Sequence, residues 1–302
     1  MALAVNNNTS AFNVFSNYSN NIGKMRTSMS RLSSGVKSVT DDPSGLGISE
    51  RMRSQIRSTG MSRQNVENGL SMLQTADSWM QKMNDMLGRM HELGVEAGDG
   101  TKTSSDLNNI QSEFKELQSE IKRITDGSTS AAKYNGLYLF RGGDGRTVTD
   151  TTKGLSIQIG ADVGQKIKID LKQLDSNTTN TETLTYDKAD GTTGTMKWGS
   201  VISSDSHLSV RSDDSLGKIS AAIDHISDSR ATLGAQQNRL KETQSGLLSY
   251  EDNLRAAESK VRDVDMASES TKFSKFQILS QISNAMLAQA NQLPSSALQL
   301  LG

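Results

Sequence analysis

The sequence predicts a mainly α fold, with long antiparallel helices forming a coiled-coil rod, a small β-hairpin region and a short variable insertion. Three observations predict it. Apolar residues recur at every seventh position near both ends of the 302-residue chain. Glycine-rich and strand-like runs are confined to the middle. Large side chains are scarce, with 34% hydrophobic and 4% aromatic residues. A compact globule of this length buries more, whereas a helix in a rod buries only one stripe.

The first element carries Phe15, Ile22, Met29 and Val36 seven apart, and Tyr18, Met25, Leu32 and Val39 seven apart and offset by three. That is a coiled-coil seam of about four heptads. Asp42-Pro43 then marks a new start, because Asp caps a helix and Pro suits its first position. Met52, Thr59, Val66, Leu73, Met80 and Leu87 follow at heptad spacing. The spacing predicts a helix from Ser44 to near Ala97, roughly 80 Å long, closed by Gly98-Asp99-Gly100. A Ser104/Ser105 cap opens a third helix, where Leu107, Ile110, Phe114, Leu117, Ile121 and Ile124 alternate three and four apart. Its short connection makes it an antiparallel neighbour of the long helix.

Helical period ends after Asp126. Asn135-Gly136 is a turn pair before the strand-like Leu137-Tyr138-Leu139-Phe140. Leu155, Ile157 and Ile159 alternate with polar residues, as do Ile167, Ile169 and Leu171 across a Gly160–Gly164 turn, which predicts a hairpin with one buried face. From Lys172 to Asp213 the chain is Thr-, Ser- and Asp-rich, with weak alternation around Leu184–Tyr186 and Met196–Trp198. This reads as a surface insertion that tolerates replacement and offers sites for surface glycosylation, Asn177-Thr178-Thr179 among them.

Helical period returns with Ile219, Ile226, Leu233, Leu240, Leu247, Leu254 and Val261, all seven apart. Half of the companion positions are polar, which suits a helix among several neighbours. Its length matches that of the Ser44–Ala97 helix, so the two should lie alongside one another. A last amphipathic stretch of Phe276, Leu279, Ile282, Met286, Ala290 and Leu293 ends near Pro294. The terminal seam is therefore assigned to Phe15, Ile22, Met25, Met29 and Leu32, with Leu279, Ile282, Met286 and Leu293. The N-terminal stretch is basic (Lys24, Arg26, Arg31, Lys37, Arg51, Arg53, Arg57, Arg63) and Glu251–Glu269 is acidic. Two readings stand: solvated faces, or charge matching within or between subunits.

The chemistry of catalysis is missing from these patterns. There is no cysteine, and the three histidines, His91, His207 and His225, are far apart. No phosphate-cradling loop appears, His91-Glu92 lacks a second zinc histidine, and Asp187–Gly191 lacks the rest of a calcium loop. The charge is balanced, with 33 basic and 34 acidic residues, and the basic stretch lacks base-stacking aromatics. The expectation is no enzyme, cofactor, metal, nucleic acid or membrane span. The start lacks the basic end of a secretory signal, so the chain is expected to be cytosolic or exported without a cleaved signal.

Several runs resemble bacterial flagellin. They are Leu32-Ser33-Ser34-Gly35, Asp41-Asp42-Pro43-Ser44-Gly45-Leu46, Asn68–Ala76, Ile157-Gln158-Ile159-Gly160-Ala161, and Met286-Leu287-Ala288-Gln289-Ala290-Asn291-Gln292 with Leu298, Leu300 and Leu301. The resemblance implies a discontinuous architecture. Residues 1–43 and 257–302 would form an inner terminal coiled-coil domain. Residues 44–172 and 214–256 would form a core helical domain with the hairpin, and residues 173–213 a short variable surface insertion.

The same resemblance implies a self-polymerising filament subunit, exported unfolded by the flagellar type III apparatus. Its implied partners are further copies of itself, an export chaperone on the C-terminal helix, and the filament cap and hook-junction proteins. It also implies a filament that is external, or periplasmic as in spirochaetes. The matching positions for the flagellin-sensing Toll-like receptor are Arg89, Leu93 and Glu113, which are assigned to one receptor and assembly surface. Gly88 and His91 depart from the family pattern beside them. The alternatives are a hook–filament junction protein and a secreted coiled-coil binding protein.

Overall fold

The computed structural model describes residues 8–125, 130–140, 155–174, 183–202, 208–210, 212 and 214–301, with side chains described as far as residue 292. His207 and the Asn177-Thr178-Thr179 sequon lie outside the described residues. The chain forms two compact units, Met1–Ile56 with Asp252–Gly302, and Arg57–Glu251.

In the terminal unit, α1 spans Thr9–Ser34. Its cap is Asn8, whose side chain accepts from the Ala11 N–H at 2.9 Å, satisfying one orphan donor of the first turn. It ends at Gly35, whose left-handed φ of 71° lets its N–H turn back to the Arg31 carbonyl, a conformation costly for a residue with a Cβ. The final helix, α6 in chain order, spans Met266–Leu301 and runs past Pro294 rather than stopping there. α1 and α6 are antiparallel neighbours: Asn8 reaches the Ala290 carbonyl, and Ser28 reaches Glu269. An antiparallel bridge between Val36 and Asp263 closes the pair.

Helix α2 spans Pro43–Ala97, starting one residue earlier than the spacing predicts. Asp42 accepts from the Gly45 N–H at 2.8 Å, and Pro43 takes the first position. Helix α3 covers Ser104–Thr125. Its cap is Thr103 and not the expected serines. The Thr103 hydroxyl accepts from the Asp106 N–H, and Asp106 accepts from the Thr103 N–H, a reciprocal box. Helix α5 covers Ser215–Arg262. It lies antiparallel to α2, because Arg230 meets Asp77 while Gln244, farther along, meets Glu67. α2 and α5 contribute to both units.

One hydrophobic core fills the central unit. α2 supplies Val66, Leu73, Met80 and Leu87, α3 supplies Ile110, Phe114, Ile121 and Ile124, and α5 supplies Ile219, Ile226, Leu233 and Leu240. Among the described residues, three two-stranded antiparallel ribbons accompany the helices. β1 (Lys133–Tyr134) and β2 (Leu137–Tyr138) flank Asn135-Gly136, both at positive φ, as a tight hairpin turn requires. β3 (Leu155–Gln158) pairs with β4 (Lys166–Ile169), placing Ile157 opposite Ile167. β5 (Thr183–Asp187) pairs with β6 (Thr193–Lys197), placing Leu184 opposite Met196. The short α4 follows as Trp198–Ile202.

The 173–213 segment corrects the expectation of a surface insertion. Leu184, Met196, Trp198, Val201, Ile202, Leu208 and Val210 are all buried in the shared core. Gln118 of α3 donates to the Val201 carbonyl at 2.8 Å. Its polar composition hides this, because in a two-stranded ribbon only alternate residues face inward.

Candidate assembly surfaces

The α1–α6 seam differs in register from the heptads read along the sequence. α1 presents Val14, Tyr18, Asn21, Met25, Ser28 and Leu32 to its partner, and Ser28 is the most buried of them. The packed face therefore takes positions 14, 21 and 28, with 15 and 29 left outside it. Ile22 at the margin, Met25 and Leu32 are half-buried, whereas Phe15 and Met29 are each 56% exposed. α6 meets this face with Glu269, Phe273, Phe276, Ser280, Ser283, Leu287 and Ala290. Leu279 is half-buried, but Ile282 and Met286 are more than half exposed. The side chain of Leu293 lies outside the described residues.

Each helix of the pair thus keeps a second apolar stripe turned to solvent. On α1 it holds Phe12, Phe15 and Met29, and on α6 Ile278, Ile282 and Met286, spaced four apart on one face. At the level of Ser28 the packed face meets the buried carboxylate of Glu269. Ser28 donates to it at 2.7 Å, Arg31 at 3.2 Å and Lys272 at 3.1 Å. Burial opposes ionisation, yet those donors from Ser28, Lys272 and Arg31 win and hold the carboxyl below its ordinary value. A small serine fits opposite a carboxylate where Met29 would leave it without a donor. Apolar spacing carries no sign of Ser28, and Glu269 stands out in the sequence only as part of the acidic stretch. The heptad series Glu269, Phe276, Ser283 and Ala290 was the available clue.

The charge asymmetry of the chain ends resolves into particular contacts. Arg31 pairs with Glu269 and bidentately with Asp41. Arg63 approaches Glu251, and Lys24 stands over the Phe276 ring. Arg262 and Glu50 pair with the opposite polarity at 2.9 Å. Lys37 donates to the Val261 carbonyl, and Arg53 pairs locally with Glu50.

In the central unit the structure brings together two of the three candidate surface residues. Arg89 on α2 donates to Glu113 on α3 at 2.8 Å and to Glu92 at 3.0 Å. Both partners of the interhelical pair are exposed, and the carboxylates of Glu113 and Glu92 raise the Arg89 pKa. Leu93 does not join them. Its side chain is 1% exposed and belongs to the core. Four residues on from Arg89 it shares the helix flank, but the stripe Met83, Leu87, Met90 and Leu93 is the side that α3 and α5 cover.

A cleft of about 540 Å³ is lined by Arg57, Ser58, Met61, Asn65, Gln158 and residues of the turn after β3, with Asp162 as its lone carboxylate and no histidine. Among the described residues no group of three or more His, Asp or Glu could hold a metal ion. Among them, too, no helix is long and apolar enough to cross a membrane.

Long paired helices, with apolar stripes turned outward at the chain ends, are the architecture of a structural protein. Residues 5–144 match the bacterial flagellin N-terminal helical region, and residues 216–301 match the bacterial flagellin C-terminal helical region. The chain belongs to the bacterial flagellin family, whose members are structural proteins of the flagellar filament and not enzymes. It is 38% identical to a flagellin of Bacillus subtilis, covering 99% of this chain and 100% of that protein. It is 35% identical to a flagellin of Halalkalibacterium halodurans, again over 99% and 100%. Identity is also 35% with a flagellar filament 33 kDa core protein of Treponema phagedenis, with the same coverage.

Proposed function

We propose that this chain polymerises into the flagellar filament through the outward stripes of its terminal helices. One observation carries the reading: Phe12, Phe15, Met29, Ile278, Ile282 and Met286 are exposed together on two thin helices. Such apolar surface marks an interaction site. Repeated head-to-tail contact that does not close generates a filament. In the filament, residues 1–43 and 257–302 would form the inner terminal coiled-coil domain. Export as an unfolded chain through the flagellar type III apparatus fits a sequence without cysteine.

Before assembly the α6 stripe needs cover, which suits capture of an amphipathic helix by an export chaperone. The filament cap and the hook-junction proteins are the expected partners at the ends of the polymer. The exposed Arg89–Glu113 pair is the part of the candidate surface open to a Toll-like receptor. Sedimentation tests the central claim. Phe15→Ser with Ile282→Ser should leave a folded chain that no longer pellets as filaments. Normal filaments from that variant would overturn the reading.

A further inference from the structure

The apolar seam between α1 and α6 is degenerate. Tyr18, Met25 and Leu32 recur every seven residues, and so do Phe273, Ser280 and Leu287 on the facing helix. Sliding one helix by a heptad, roughly 10 Å, again sets the Tyr18, Met25 and Leu32 series against the Phe273, Ser280 and Leu287 series. The Val36–Asp263 backbone bridge is indifferent to side-chain identity. The polar layer is different, because Glu269 is 3% exposed and its donors occupy single positions. In a slipped pair Ser28 would face Phe276 or Arg262. Arg31 would lie beyond reach of Glu269, leaving a buried carboxylate without its partners, which is strongly unfavourable.

We infer that the Ser28–Glu269–Arg31 layer, anchored through Arg31 to Asp41, selects the register of the terminal helix pair. Arg31 holds Asp41 with two hydrogen bonds, at 2.9 and 2.6 Å, while contacting Glu269. Asp41 also accepts from the Ser38 N–H at 2.9 Å, so the α1–α2 connection is tied to the same layer. A buried polar contact in a helix seam is an effective register device, at some cost in stability, and here Glu269 is the carboxylate buried in that seam. Its consequence is a surface. Register sets how the outward stripe of α1 lies against that of α6, and a heptad slip would offset the two.

The chain has no cysteine, so engineered pairs report register cleanly. Asn21 donates to Ser283 at 3.4 Å, which makes Asn21→Cys with Ser283→Cys the native-register pair. Asn21→Cys with Ala290→Cys, or with Phe276→Cys, reports a one-heptad slip in either direction. Oxidation of the full-length chain should give the native intrachain disulfide alone. Adding Ser28→Ala with Glu269→Leu should lower that yield several-fold and raise a slipped one. An unchanged native yield in this background would overturn the inference. If the background abolishes every cross-link, the exchange Ser28→Glu with Glu269→Ser decides. Restored native cross-linking supports register selection, and no restoration overturns it. The readout lies within one chain, so it stands or falls separately from polymerisation.

Discussion

Trp198 donates its indole N–H to the Leu174 carbonyl at 2.6 Å, and both residues are fully buried. The ring also tilts against His225 of α5, with centroids 5.8 Å apart. One side chain thus ties the segment after the β3–β4 ribbon to the 183–202 segment and to a core helix.

Trp198→Phe should therefore destabilise the central unit by about 1–3 kcal/mol, because the Leu174 carbonyl loses its buried donor. Trp198→Ala should cost about 3–5 kcal/mol through the cavity. Replacing residues 183–202 with a Gly/Ser linker should cost at least as much. Urea unfolding followed by far-ultraviolet circular dichroism checks all three, and a midpoint unchanged by the linker would return the segment to the status of a free surface loop.

Leu93 and Arg89 should separate in their effects. Leu93→Ala should lower stability by about 2–5 kcal/mol as a core truncation. Arg89→Ala removes an exposed ion pair and should stay within about 1 kcal/mol. Loss of receptor activation by Arg89→Ala at full folded content would mark a contact. The same loss in Leu93→Ala, accompanied by a lowered unfolding midpoint, would be a folding effect.

The glycines of α5 make a paired test. A Cβ at Gly217 would run into the Asp187 backbone carbonyl, where β5 ends. Nothing lies within 4 Å of a Cβ at Gly234. Gly234→Ala should stabilise by up to about 1 kcal/mol, the helix-propensity difference. Gly217→Ala should instead destabilise by about 1–3 kcal/mol from overcrowding, despite the same propensity gain. Thermal unfolding of the two variants should shift in opposite directions.

Acid should loosen the terminal pair first. The Glu269 carboxyl is held below its ordinary value of 4.5, and Asp41 is also lowered, chiefly by the hydrogen bonds from Arg31. A depressed folded pKa contributes stability that is present above the unfolded value and lost as pH falls through the folded one. Arg31 then faces no anion. Helicity of the terminal segments should fall below about pH 4.5. Glu269→Gln should flatten that slope, and an unchanged pH profile in the variant would remove Glu269 as its source.

Much of this molecule is legible in its residues because the physics is local. Whereas Gly35 ends α1 inside a heptad series that runs on to Val39 in the sequence, Asp42-Pro43 marks a helix start without help from distant chain. Asn135-Gly136 makes its turn for the same reason, and Leu155, Ile157, Ile167 and Ile169 fall on one face because a strand alternates with period two. The heptads of α2 and α5 likewise foretell the buried stripes, since helical period and burial coincide when one face meets the core.

What only the tertiary structure decided is which of two overlapping stripes would be covered. Phe15 and Met29 are more apolar than Asn21 and Ser28, and on spacing alone they should be inside. A buried Glu269 on the facing helix reverses that order, because an unpaired carboxylate costs more than an exposed methionine. Leu93 turned inward, and Trp198 went to the core, for the complementary reason. Their surroundings come from α3, α5 and Leu174, distant in sequence, and no local pattern carries the identity of a partner that arrives only on folding.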